Sequence, residues 1–225
     1  MRQKFVAEFL GTAFLLIVVV GSGIMGESLA HGNDAIALLA NSIATGAGLY
    51  ALIQTFGPVS GAHFNPAVSF VEWRWKKLSL HDFFQYCLAQ ISGAIAGVIL
   101  THAMFGQRIF QLSSHDRGDL RFLLSEFVAT FGLITVISLS GKRSVEATPF
   151  AVALYVTAAY WCTSSTSFAN PAVTIARSLT NTFSGILWTG APGFVVAQIG
   201  GAIMAYWISG ILLKSTTGQS TTGKV

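Results

Sequence analysis

The tetrapeptide Asn65-Pro66-Ala67-Val68 returns as Asn170-Pro171-Ala172-Val173. Asn is among the best helix N-caps, and Pro is favoured at the first helical position. Each copy therefore reads as a helix start, with helices running about 65–76 and 170–181. Both are too short to cross a bilayer. A helix N-terminus carries about half a positive charge and unpaired N–H groups. A capping Asn turns its oxygen to its own helix, which leaves its amide N–H2 free. Two such ends facing each other would repel cations and protons, yet donate hydrogen bonds to a water or a hydroxylated solute. This is the chemistry of selection, not of bond making. No nucleophile–His arrangement, paired acid and base or metal-ligand cluster stands in the apolar runs. An enzyme, a cofactor, a metal site and a nucleic-acid partner are accordingly not expected.

The elements that must hold these helices are read from hydropathy. The chain has 225 residues, 52% hydrophobic and 10% charged, where a soluble domain carries about 25% charge. Six runs are long enough to span, at about 4–25, 35–56, 82–104, 120–140, 147–166 and 186–212. The two Asn-Pro-Ala segments lie between the second and third runs and between the fifth and sixth. They are too broken by Gly and Pro to span and too apolar for surface loops. Backbone of that kind is tolerated at membrane depth only when buried or lining water. The end of the chain, 214–225, reads as a flexible polar tail.

The chain repeats itself. "AEFLGTAFLLIVVVGSG" at 7–23 resembles "SEFVATFGLITVISLSG" at 125–141, which aligns Glu8 with Glu126. "AQISGAIAG" at 89–97 resembles "AQIGGAIMA" at 197–205, which aligns Gln90 with Gln198. One channel-type domain over 1–213 would thus hold repeat one at about 4–104 and repeat two at about 120–213. Three spans per repeat is an odd number, so the halves must enter the membrane from opposite sides, an inverted repeat. Orientation follows from Lys and Arg. With both termini in the cytoplasm, Arg2, Lys4, Arg74, Lys76, Lys77, Lys142, Arg143, Lys214 and Lys224 lie inside, against Arg108, Arg117, Arg121 and Arg177 outside.

Two Asn-Pro-Ala segments within six spans resemble the aquaporin and aquaglyceroporin family, the major intrinsic proteins. "SGAHFNPAV" at 60–68 is similar to the family's first re-entrant loop, and "AEFLGT" at 7–12 to its usual opening. The resemblance covers about 4–213. It implies an all-α membrane protein with six transmembrane helices and two re-entrant half-helices in a right-handed bundle. It implies a homotetramer in the inner membrane's lipid bilayer, with one pore per subunit. It further implies that Glu8 and Glu126 brace the re-entrant backbones, in keeping with the rule that an intramembrane carboxylate needs a partner.

The second motif departs from the family pattern. Most members place Arg directly after it; here the position is Val173. The remaining filter positions, carried over by spacing, fall on Thr45, Ala158 and Ser167, with Phe168 as the alternative to Ser167. This set is small and lacks the fixed charge. It points to solutes larger than water: glycerol-like polyols, urea or neutral metalloid hydroxides such as arsenite. The second loop also resembles a bacterial subgroup associated with arsenic resistance.

Arg177 lies almost two turns after Asn170 and so shares roughly its helix face. It can reach back toward the filter, or anchor at the headgroup interface, or pair with Asp116 or Asp119; anchoring is the favoured expectation because Arg snorkels readily. His63 either lines the pore or packs its loop. Trp73, Trp75, Lys76 and Lys77 read as an interfacial belt. Gly93, Gly97, Gly200 and Gly201 suit close helix packing, within or between subunits. Cys87 and Cys162 sit in apolar runs, without a disulfide framework.

The leading expectation is a passive channel for small uncharged solutes. One alternative is an ordinary water-selective channel whose filter charge comes from Arg177. Another is an ion-coupled secondary transporter, for which Glu8 and Glu126 are the candidate coupling groups and both match bracing positions.

Overall fold

Local caps explain where several helices start. Asn33 Oδ1 accepts from the backbone N–H groups of Ala35 and Ile36 at 3.1 and 3.2 Å. Ser79 Oγ accepts from Asp82 N at 3.0 Å. The computed structural model describes residues 1–143 and 147–215, and these form eight helices with no strand. They are α1 (Arg2–Leu29), α2 (Asp34–Ser60), α3 (Pro66–Arg74), α4 (Leu80–Met104), α5 (Leu120–Arg143), α6 (Ala147–Cys162), α7 (Pro171–Arg177) and α8 (Ala191–Ser215). The expected polar tail lies outside the described residues from 216 onward.

Among the described residues five helices, α1, α2, α4, α5 and α8, are long and apolar enough to cross a membrane. The sixth expected span is α6, apolar but only 16 residues. The last span starts later than expected. Residues 186–190 belong to the loop after α7, because Ile186 N donates to Arg177 O at 3.2 Å and Gly190 N to Leu187 O at 2.9 Å. The half-helix α7 is likewise shorter than expected. It ends in a tight turn, with Ser178 N donating to Ile175 O at 3.2 Å and Leu179 N to Ala176 O at 3.0 Å.

Glycine permits close helix crossings. A Cβ at Gly93 or Gly97 on α4 would overlap the carbonyl of Phe9 or Ala13 on α1. One at Gly201 on α8 would overlap the carbonyl of Phe127 on α5. The expected small-residue packing therefore operates within the chain, joining α1 to α4 and α5 to α8. The half-helices α3 and α7 are inserted against these pairs. Their first residues, Pro66, Ala67, Pro171 and Ala172, are all buried. The Trp73–Lys77 segment behaves as a cation–aromatic cluster. The Arg74 guanidinium lies 5.5 Å from both the Trp73 and Tyr206 rings, and Lys77 Nζ 5.1 Å from Trp75.

Candidate functional site

Asn65 and Asn170 are the N-caps of α3 and α7. Asn65 Oδ1 accepts from Ala67 N at 2.9 Å, and Asn170 Oδ1 accepts from Ala172 N and Val173 N at 3.0 and 3.3 Å. Contrary to the expectation that capping leaves the amide N–H2 free, each amide is partly engaged. Asn65 Nδ2 donates to Ala169 O at 2.8 Å, and Asn170 Nδ2 donates to Phe64 O at 2.8 Å. Each cap thus ties its loop to the other loop. One N–H of each amide is used in this way, and the other remains.

The loops that supply those carbonyls are bent in the same manner. Ala62 and Phe64 before Asn65 have φ of 50° and 49°; Ser167 and Ala169 before Asn170 have φ of 51° and 48°. Left-handed backbone costs a non-glycine residue about 1–2 kcal/mol, so something must hold it. The carboxylates do. Glu8 accepts from Ser60 Oγ, His63 N, Phe64 N and Gln90 Nε2 at 2.6, 3.0, 2.7 and 2.8 Å. Glu126 accepts from Phe168 N, Ala169 N and Gln198 Nε2 at 2.9, 2.8 and 2.6 Å. Gln90 and Gln198 donate onward to Ser69 Oγ and Thr174 Oγ1 at 3.0 and 2.8 Å. Both carboxylates are fully buried.

A cavity of about 300 Å³ runs past both Asn residues. Its wall is mostly aliphatic, with Leu15, Val19, Leu49, Ile53, Leu133, Ile137, Val152 and Val156. Polar groups are few and grouped. His63 and Glu72 line it on the α3 side, and Thr45, Tyr160, Ser167 and Arg177 also face it. His63 meets both expectations at once. It lines the cavity, and its Nδ1 lies 3.0 Å from Ser69 Oγ while its ring packs 5.0 Å from that of Tyr86.

The candidate filter positions divide. Thr45, Val173, Ser167 and Phe168 all line the cavity and are buried. Ala158 does not line it and is exposed. The inward face of α6 carries Val152, Val156 and Tyr160, and Ala158 is two residues, about 200°, from the last two. On this stretch of α6 it is Tyr160 that faces the cavity, with its hydroxyl 3.1 Å from Thr45 Oγ1. Val152, Val156 and Tyr160 recur every four residues in the sequence, but that spacing does not say which face of α6 turns inward.

Arg177 corrects the anchoring expectation. It is 2% exposed and pairs with neither Asp116 nor Asp119. Its Nε donates to the Ser184 carbonyl, and its guanidinium carbon sits 3.4 Å from the centroid of the Phe168 ring. Arg117, read from the sequence only as an outer-side charge, belongs to the same group. From the segment between α4 and α5 it donates through Nε to Gly185 O and through Nη1 to Ser165 O, at 3.0 and 3.1 Å. Its guanidinium carbon lies 5.4 Å from the same Phe168 ring. Burial lowers the Arg117 pKa below the ordinary arginine value, and the Glu126 carboxylate partly opposes that shift. Among the described residues no His, Cys, Asp and Glu group could hold a metal ion.

Residues 1–144 match the family model described as "Major intrinsic protein". The chain belongs to the major intrinsic protein family. It is 50% identical to Aquaglyceroporin AqpS of Rhizobium meliloti over 214 residues, 95% of this chain and 91% of that protein. It is 28% identical to Probable aquaporin AqpM of Archaeoglobus fulgidus over 95% of this chain and 98% of that one. The X-ray structure of the aquaglyceroporin from Plasmodium falciparum shares its fold, with a TM-score of 0.75 at 18% identity over 96% of this chain and 98% of that one. The fold is the aquaporin helical bundle. Members of the major intrinsic protein family are multi-pass membrane channels, not enzymes.

Proposed function

We propose that this protein is a passive transmembrane channel for small uncharged solutes: water, glycerol-like polyols and neutral metalloid acids such as arsenite. The observation that carries the reading is the reciprocal Asn65–Asn170 pair beside a largely aliphatic cavity. Two helix N-termini there present positive potential and amide donors, which favours neutral oxygen-bearing solutes over cations. The relationship to an aquaglyceroporin at 50% identity supports polyols among the substrates. The filter is formed by Thr45, Tyr160, Ser167, Phe168 and Val173, and its fixed charge comes from Arg177. Glu8 and Glu126 act as braces and not as coupling groups, since both are consumed by the re-entrant loops. The chain works as a homotetramer in the inner membrane with both termini cytoplasmic. Its inverted repeats of about 4–104 and 120–213 place α3 and α7 end to end.

Water, glycerol and arsenite flux into proteoliposomes test this reading, for wild type and Val173→Arg. The wild type should pass all three with low activation energy and no saturation or ion coupling. Val173→Arg should lower glycerol and arsenite flux by roughly tenfold or more, a typical size-discrimination factor, while water persists. A wild type that passes water but excludes glycerol would refute the reading.

A further inference from the structure

Arg177 places a buried cation in the wall of the cavity and leaves it without a counter-charge in contact. Among the described residues its guanidinium makes one protein hydrogen bond, to Ser184 O, and no ion pair. The remaining N–H groups belong to a side chain that lines the cavity. The carboxylate of this region, Glu126, is already engaged by Phe168 N, Ala169 N and Gln198 Nε2. Arg117 adds a second guanidinium against the same Phe168 ring. The aromatic contact offsets part of the burial penalty. A buried charge nonetheless calls for pairing and full hydrogen bonding.

A second observation points the same way. Ser167 Oγ is buried, has no hydrogen-bond partner, and its residue lines the cavity together with Arg177. Thr45 and Tyr160, whose hydroxyls lie 3.1 Å apart, line it as well. A planar guanidinium fork matches a planar carboxylate in two parallel hydrogen bonds, and a hydroxyl can donate a third.

We propose that the Arg177 end of the cavity is a binding subsite for small planar oxyanions, with simple carboxylates such as formate as the type, held by the Arg177 guanidinium and the Ser167 hydroxyl. The consequence rests on the channel reading: an anion seated there obstructs the path and slows neutral solutes. The channel is then regulated by the small carboxylates around it.

Glycerol flux into proteoliposomes provides the test, with formate at equal concentration on both sides and chloride at matched ionic strength as the control. Wild-type flux should fall saturably with formate and far less with chloride. Arg177→Gln should raise the half-inhibiting formate concentration by roughly tenfold or more, the range for a charge-assisted hydrogen bond. Arg177→Lys keeps the charge but not the fork and should fall between the two. Ser167→Ala should raise it by about threefold to tenfold. Each variant is referred to its own formate-free flux, so poor folding does not imitate the effect, and Arg177→Lys with Ser167→Ala carry the test if Arg177→Gln does not fold. Unchanged formate dependence in all three, or no formate effect on the wild type, overturns the subsite. A wild type without glycerol flux would instead overturn the channel reading. The subsite is then decided by thermal stabilisation of the detergent-solubilised protein by formate, expected in the wild type and weakened in Arg177→Lys.

Discussion

Asn65 and Asn170 each hold the loop that precedes the other: Asn65 Nδ2 donates to Ala169 O, and Asn170 Nδ2 to Phe64 O, both at 2.8 Å. Each Oδ1 meanwhile caps its own half-helix. One side chain thus makes a local bond and a bond across more than a hundred residues of sequence.

Asp in place of Asn separates the two roles. Asn170→Asp keeps an acceptor for the cap but removes the donor to Phe64 O and sets a carboxylate against that carbonyl. It should destabilise the protein by about 1–3 kcal/mol, the range for leaving a buried polar group unsatisfied. Asn65→Asp should act alike at Ala169 O. Thermal unfolding in detergent measures both, and unchanged midpoints would show that the cross-bonds do not hold the loops.

The braces should rank by the donors they satisfy. Glu8 receives four and Glu126 three. A Gln at either position offers a single acceptor oxygen and turns an amide toward the remaining donors. Each change should cost roughly 3 kcal/mol, in the range for breaking a buried charged network, with Glu8→Gln the worse of the two. Equal or reversed losses in unfolding midpoint would contradict this ranking.

Glycines at the helix crossings should not tolerate a side chain. Gly97→Val and Gly201→Val drive a branched side chain into a backbone carbonyl of the facing helix, and overpacking of this kind costs about 1–3 kcal/mol. Gly210 has open space around its Cβ position, so Gly210→Ala should stabilise α8 by about 0.5–1 kcal/mol through helix propensity. The comparison is made by unfolding in detergent.

Arg117 joins the segments on both sides of α7 through Ser165 O and Gly185 O. Arg117→Ala releases both and loosens the support of Phe168. The ratio of glycerol flux to that of a four-carbon polyol should drop severalfold, as expected when a charged hydrogen bond worth about 1.5–3 kcal/mol is lost. A ratio equal to that of the wild type would confine Arg117 to a structural role.

What was legible in the sequence was local or repeated. Asn followed by Pro fixes a helix start within three residues, because the cap acceptor and the N–H groups it satisfies lie within one turn. Glu8 and Glu126 were legible because a carboxylate in an apolar run demands partners, and the chain supplies the pattern twice. The crossing glycines were visible as small-residue spacing, although their partner helices were not.

The rest depended on distant parts of the chain. Ala158 was assigned by spacing from a motif, yet rotation of α6 about its axis turns Tyr160 inward and Ala158 outward. That rotation is set by packing against neighbouring helices, which spacing does not record. Arg177 was expected to snorkel, because a lone Arg in an apolar chain normally finds water or headgroups. The folded loop instead brings Ser184 O and the Phe168 ring to it. Arg117 meets Ser165 and Gly185 across 48 and 68 residues.

The sequence by itself therefore determined the class of molecule, the two half-helix starts and the carboxylates that steady them, since capping acts within one helical turn and a carboxylate in an apolar run requires partners wherever in the chain they lie. Only the tertiary structure decided which charge and which ring line the cavity, because those positions follow from helix rotation and loop closure, where many weak contacts from remote residues together select one arrangement.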